Sequence, residues 1–336
     1  MKQTVQTVWL RWLTAISAVV LLNACSTQPT HQAEQDLKKT KVGIMLSDVG
    51  LGDQSFSDAG FNGLAKARDE KRIIFDYREL QDTKTYEAGL EQLVQEDSQL
   101  VIGLGFAMKE SMEKVAKKHP DRQFLLVDEK SELPNVASMT FKEEEGSYLA
   151  GVVAGLATHT GNIGFLGGVD NALIHKFEAG FRQGIKAVNP EANLTTAYAG
   201  DFGKADLGRE FADEMIDKHD VDTIYAAAGF TGVGALQEAE KRKIHGIGVD
   251  TDQFFVAEKA VVTSMVKNVD VALNTAVKAF VDNQGHFKTK DMVFGIQEGG
   301  VGLAQIRAIQ LSPGQMAAIE EQKQKLIKGS ISVKTN

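Results

Sequence analysis

The chain has 336 residues, 43% of them hydrophobic, with 32 glycines, 5 prolines and a formal net charge of −8. That is enough apolar material for two α/β domains of ordinary size. The glycine-rich, proline-poor composition suits many tight βα turns and argues against disorder. The acidic balance, with no basic block and no basic–aromatic interleaving, argues against a nucleic-acid partner.

The amino terminus has its own signature. Lys2 and Arg11 give a weakly positive start, and residues 12–22 form an apolar run too short to span a bilayer. Leu22-Asn23-Ala24-Cys25-Ser26 follows. A charged start, a short apolar core and a small residue before the cut describe an export signal. This one ends in a segment that resembles a bacterial lipoprotein box, in which the cysteine is lipidated and cleavage falls before it; a chance cysteine in an ordinary helix is the alternative. The expectation is a signal peptide over 1–24, lipidation of Cys25 by more than one acyl chain, and a polar tether over 25–40 that holds the body off the cell membrane, outside the cytoplasm. Cys25 is the only cysteine, so no intrachain disulfide is possible.

The body alternates strands and helices, the pattern of a parallel sheet with crossovers. Apolar runs predict strands at 42–46, 73–77, 100–104, 124–127 and 136–141, with helices at 86–94 and 108–118 between them. Residues 144–158 are rich in Gly and Ala, a face that lets a helix sit close to its neighbour, and mark the passage into a second domain. There the order repeats. Strands are predicted at 163–166, 194–198, 223–227, 247–249 and 261–265, and helices carry Phe177, Phe181 and Ile185, then Leu207, Phe211 and Met215. A helix over 269–281 is predicted to return to the first domain. The first lobe is therefore expected to comprise 41–142 plus about 268–305, and the second 143–267 plus about 306–336.

In both halves the unusual residues lie just after strands, where open α/β sheets bind ligands. The richest stretch is Ser47-Asp48-Val49-Gly50-Leu51-Gly52-Asp53-Gln54-Ser55-Phe56-Ser57-Asp58. A plain strand-to-helix turn with Ser57 or Asp58 as N-cap explains one polar residue there and leaves Asp48, Asp53 and Phe56 unexplained. Gly105-Phe106, Asp128, Phe202, Gly229, Asp250 and Lys267 occupy similar positions. Catalytic signatures are missing. Gly103 and Gly105 lack the third glycine of a dinucleotide fingerprint, and there is no Walker loop, nucleophile elbow or zinc-protease helix. The seven histidines are scattered, with His175 alone placed near a strand-end loop. Asp48, Asp53 and Asp58 lack calcium-loop spacing. Neither enzyme, metal nor cofactor is expected. Binding needs other things. Phe56 and Phe202, in loops of different domains, are able to sandwich a flat heteroaromatic group, or each is an ordinary core phenylalanine. Asp128 and Asp250 suit a sugar diol, or cap helices. Lys267 suits ribose oxygens or a cleft carboxylate, and Gly229 lets backbone approach a ligand.

Several segments together resemble the basic membrane protein family of bacterial lipoproteins, the nucleoside-binding components of ABC transporters. They are Asp48 to Phe56, Gly103-Leu104-Gly105-Phe106, Glu144 to Gly151, Gly164 to Gly168, Ala227 to Gly234, Gly248 to Gln253, and Thr263 to Lys267. The resemblance implies a type I periplasmic-binding-protein fold, two parallel-sheet domains on a hinge with the cleft between them. It implies a purine nucleoside-like ligand between two aromatics, and an ABC permease as partner. Phe56 is the carry-over for the first ring and Phe202 for the second; Asp128, Asp250 and Lys267 match positions meeting the ribose. The expected ligand set is Asp48, Asp53, Ser55, Phe56, Ser57, Phe106, Asp128, Phe202, Gly229, Asp250 and Lys267. The family usually has Asn where this chain has Ser57, and a serine cannot reproduce both hydrogen bonds of an amide. A riboflavin or other heteroaromatic or sugar-like ligand, or a sensory rather than transport role, is the alternative.

Overall fold

The computed structural model describes residues 39–335. The first five strands are β1 (Thr40–Met45), β2 (Ile73–Arg78), β3 (Leu100–Leu104), β4 (Gln123–Val127) and β5 (Val136–Phe141). They alternate with α1 (Phe56–Asp69), the short α2 (Leu80–Thr83), α3 (Tyr86–Gln95) and α4 (Lys109–Lys118). Then come α5 (Glu143–Ala157), β6 (Asn162–Gly167), α6 (Ala172–Val188), β7 (Asn193–Tyr198), α7 (Ala205–His219), β8 (Thr223–Ala227), α8 (Gly229–Arg242), β9 (His245–Asp250) and β10 (Val261–Lys267). The chain ends with α9 (Val269–Asp282), β11 (Asp291–Phe294), β12 (Val301–Leu303) and α10 (Pro313–Ile327).

The strands form two sheets of the same design, ordered β11-β5-β4-β3-β1-β2 and β12-β10-β9-β8-β6-β7. All pairings are parallel except that of β12 with β10. Helices cover both faces of such a sheet, so its central strands are apolar throughout. Every residue of β3 and of β8 is buried accordingly, whereas the terminal strands β2 and β7 are half-exposed. In each sheet the chain winds one way from the first strand and the other way from the third. The resulting switch points, β1/β3 and β6/β8, are where a crevice opens at the carboxyl edge.

The Gly/Ala-rich α5 packs against α6 backbone to backbone. A Cβ on Gly151 would lie 2.1 Å from the Phe181 carbonyl oxygen, so any larger residue there forces the helices apart. α9 packs against α1 of the first lobe. β12 corrects the expected boundary near 305. It is hydrogen-bonded to β10 in the second sheet, so the chain has already crossed back before residue 301. The crossing is the turn at 295–300, and it is tied to the other two crossings: the Lys142 amide donates to Phe294 O at 3.0 Å and the Asn268 amide to Gly300 O at 2.8 Å. Three adjacent segments thus make the hinge. Residues 1–24, most of the 25–40 tether and Cys25 lie outside the described residues.

Candidate functional site

The loop after β1 is held by its own carboxylates. Asp53 accepts from the amides of Ser55 (2.9 Å), Ser57 (2.7 Å) and Asp58 (3.1 Å), satisfying the free N–H groups at the start of α1. The alternative reading of this stretch, a plain turn with Ser57 or Asp58 as the helix cap, does not hold: Ser55 is the N-cap residue and makes no side-chain cap bond. Asp53, three residues before the first helical residue Phe56, reaches three donors at once, and Asp58 folds back to the amides of Gly52 (2.8 Å) and Gln54 (3.0 Å). Burial lifts the Asp53 carboxyl to about 6 against the pull of its three N–H donors.

Helix α1 begins at Phe56, whose ring enters the space between the lobes. One cleft of about 760 Å3, counted to its open mouth, is lined there by residues from almost every strand end. Ser47, Asp48, Val49, Asp53 and Phe56 come from the β1 loop, Gly105 and Phe106 from the β3 end, and Asp128 from β4. Leu173, Ile174 and Phe177 come from the start of α6, Phe202 from the β7 loop, Gly229 from β8, Asp250 from β9 and Lys267 from β10. The Phe202 loop is pinned to α8: its carbonyl accepts from the Thr231 amide at 2.8 Å, and the Thr231 hydroxyl donates to Asp201 O at 2.8 Å.

The floor of the cleft is charged and buried. Lys267 is 2% exposed, and its ammonium lies 2.7 Å from Asp128 Oδ2 and 3.1 Å from Glu143 Oε1. It also sits 5.0 Å from the ring centres of Phe56 and Phe141. Burial would lower the lysine's pKa, but the carboxylates of Asp128, Glu143 and Asp250 outweigh it and hold the ammonium charged. Burial raises the Asp128 carboxyl to about 6; Lys267 opposes the rise, and Glu143 and Asp250 add to it. Burial raises Asp250 too, against Lys267 and a hydrogen bond from Ser55. The Lys176 ammonium reaches the far side of Glu143, 3.3 Å from Oε2, so two ammoniums face three carboxylates and the cluster stays acidic. Asp128 Oδ1 is buried without a hydrogen-bond partner, an acceptor that the protein itself leaves open.

Both Asp128 (φ +69°) and Asp250 (φ +63°) are in the left-handed region, uncommon for a residue with a Cβ. Each is turned there as the chain leaves its strand, which swings the carboxylate over the sheet edge into the cleft.

Of the residues named from sequence, Asp48, Asp53, Phe56, Phe106, Asp128, Phe202, Gly229, Asp250 and Lys267 line this one cleft. Ser55 and Ser57 do not. Both are fully buried: Ser55 precedes α1 with a non-helical backbone, and Ser57, one helical step of about 100° past Phe56, is aimed elsewhere. The Ser55 hydroxyl donates to Asp250 Oδ2 at 2.5 Å, and that of Ser57 lies 2.6 Å from Ser47 Oγ. His175 is turned away from the cleft, pairing with Asp170 at 2.7 Å. Sequence reasoning missed Glu143, Tyr86, Ser47 as a lining residue, and Phe177, which was read only as helix core. Glu143 sits in an acidic run, Glu143-Glu144-Glu145, that reads as a solvated helix start; it is buried because α5 begins at the hinge.

The lobes also touch directly at the rim. The Gln54 carbonyl of the first lobe accepts from Thr251 Oγ1 at 3.0 Å and Gln253 Nε2 at 3.1 Å of the second.

Comparison with known proteins agrees with this geometry. Residues 39–336 match the model of the Bmp family, described as ABC transporter substrate-binding protein PnrA-like. The chain is 37% identical, over 95% of both proteins, to the CD4+ T-cell-stimulating antigen of Listeria innocua. It is 29% identical to the ABC transporter nucleoside-binding protein BmpA of Lactococcus lactis, over 95% of this chain and 96% of that one. A crystal structure of an ABC transporter solute-binding protein from Aeropyrum pernix superposes with a TM-score of 0.80 at 25% identity, covering 88% of this chain and 93% of the other. The fold is that of type I periplasmic binding proteins. The chain belongs to the Bmp family of PnrA-like ABC transporter substrate-binding proteins, whose role is to bind a solute rather than transform it.

Proposed function

We propose that this chain binds purine nucleosides, or a closely similar flat and hydroxylated ligand, between its lobes and hands them to an ABC permease. The observation that carries this reading is the pairing of rings and open acceptors in one cleft. Phe56 and Phe202 come from opposite lobes, and stacking a base on an aromatic ring contributes about 1–3 kcal/mol. Beneath them, Asp128 presents an unpartnered carboxylate oxygen, suited to a sugar hydroxyl. Asp48, Phe106, Gly229, Asp250 and Lys267 complete the proposed contact set, while Asp53, Ser55 and Ser57 hold its first loop. The name of the nucleoside-binding relative from Lactococcus lactis supports the same ligand class.

The membrane attachment is part of this proposal. The Leu22-Asn23-Ala24-Cys25 segment fits lipidation of Cys25 after export, which would place the protein on the outer side of the cell membrane, beside the permease. No described helix is long and apolar enough to cross a membrane.

The test is mass spectrometry of small molecules released from the natively purified protein. A purine nucleoside is the expected occupant. A flavin or a sugar in its place would overturn the ligand assignment while leaving the solute-binding role.

A further inference from the structure

Lys267 lines the cleft, and its ammonium lies between two carboxylates, 2.7 Å from Asp128 Oδ2 and 3.1 Å from Glu143 Oε1. Asp128 belongs to the cleft lining and Glu143 does not. Glu143 is fully buried at the first position of α5, and its other oxygen, Oε2, lies 3.3 Å from the ammonium of Lys176 on α6. Four charges of alternating sign therefore run from the cleft to α6: Asp128, Lys267, Glu143 and Lys176. The first three are buried, and Lys176 is one-third exposed. Lys176 stands beside Ile174 and Phe177, which line the cleft, but is not itself part of the lining. Its effect on a ligand has to pass through its neighbours.

A carboxylate has two oxygens, and at Glu143 each is taken by a different ammonium. With Lys176 present, part of the Glu143 charge is answered from outside the cleft. Without it, a buried carboxylate is left with Lys267 alone. Charges interact strongly in such an interior, so Glu143 would then draw the Lys267 ammonium away from Asp128. The ammonium's other neighbours are the rings of Phe56, Phe141 and Phe177, at 5.0, 5.0 and 5.9 Å, which attract it without fixing its position.

We propose that Lys176 is a positioning residue for ligand recognition: by holding the far oxygen of Glu143 it keeps the Lys267 ammonium on Asp128, and so keeps Asp128 an ionised acceptor in the cleft. The charge chain is a property of the protein alone. Its effect on binding rests on the nucleoside reading above.

The consequence is a pH limit. Burial lifts the Asp128 carboxyl to about 6; Lys267 opposes the rise, and Glu143 and Asp250 add to it. Loosening the Lys267 contact lifts it further. The other ionisable groups around the chain are Glu144 on α5, which also feels Lys176, Asp250 at the end of β9, and the Tyr225 hydroxyl on β8.

Carbon-13 NMR of the Asp128 carboxyl, identified by its loss in Asp128→Asn, tests the chain without a ligand. Lys176→Met is expected to raise the midpoint by about one pH unit, and Lys176→Arg to keep the native value. Lys176→Gln removes the same charge and serves if Lys176→Met folds poorly. In a Glu143→Gln background the loss of Lys176 should move the midpoint little, because the link is already broken. A through-space effect of the lost charge would persist there. An unchanged midpoint in Lys176→Met and Lys176→Gln, or an equal shift in both backgrounds, would overturn the proposal. Calorimetry with inosine carries the test to binding. Kd in Lys176→Met should match the native value at pH 8 and exceed it about threefold at pH 6.5, the ratio of ionised Asp128 for midpoints one unit apart. Equal values at both pH values would overturn the role in recognition. A shifted midpoint with no binding of inosine to the native protein would overturn the nucleoside reading and leave the charge chain standing.

Discussion

Asp128 and Asp250 occupy the same position in the two lobes, and each is bound by a side chain of the other lobe. Each stands at the carboxyl end of its lobe's fourth strand with a left-handed backbone. Asp128, from the first lobe, pairs with Lys267 of the second at 2.7 Å. Asp250, from the second, accepts from Ser55 of the first at 2.5 Å. The two lobes are thus linked by a reciprocal clasp, to which a ligand touching both lobes would add.

The Ser55 arm of the clasp does not touch the cleft, so it is expected to affect closure more than recognition. Ser55→Ala should raise Kd about threefold to tenfold, the worth of one hydrogen bond. The effect should fall on the dissociation rate, read by stopped-flow fluorescence, with association little altered.

Lys267 is the ammonium that pairs with Asp128, and it shares Glu143 with Lys176, whose ammonium lies 3.3 Å from Glu143 Oε2. Removing it leaves Asp128 as a buried charge without its cation and Glu143 with Lys176 alone. Lys267→Met should lower unfolding free energy by about 3–5 kcal/mol in urea titrations. Adding Asp128→Asn to that variant should restore part of the loss, since one stranded carboxylate is then neutral.

Asp128 also sets a pH dependence. Its folded carboxyl titrates near 6, above the ordinary 3.8, so the folded state holds this proton more tightly than the unfolded chain. Its contribution to stability is therefore full below about pH 4 and is lost as pH rises through 6. The stability difference between the native protein and Asp128→Asn should shift in favour of the native protein on going from pH 7 to 4.5. The shift should be on the order of 2 kcal/mol, measured by urea unfolding at each pH.

Lipidation of Cys25 predicts that the protein partitions into the detergent phase of a membrane extract. Cys25→Ala should move it to the aqueous phase, assayed by immunoblot. Continued membrane fractionation of that variant would contradict the anchor.

The sequence was most legible where geometry is repetitive. The apolar runs at 100–104 and 223–227 became the central strands β3 and β8, and the polar or aromatic residues after such runs became the cleft. The short pieces were missed. β11 and β12 have four and three residues, and too little pattern to be seen. α10 had a local signal that was overlooked, Ser312-Pro313 followed by Gln315, which forms a capping box. Ser55 and Ser57 were misplaced for a different reason. Sequence proximity to Phe56 says nothing of side-chain direction once a helix begins, and only Phe56 faces the ligand space. Glu143 was illegible because burial at a hinge depends on how distant segments meet.

Titration of inosine into the native protein and into Phe56→Ala, by calorimetry, tests the central claim that this cleft encloses a flat ligand against Phe56. The account predicts saturable one-to-one binding to the native protein. It predicts a Kd about 10-fold to 100-fold higher in Phe56→Ala, with the variant still unfolding in one cooperative transition because the ring packs against the edge of the core rather than inside it. Equal affinity in the two proteins would contradict it.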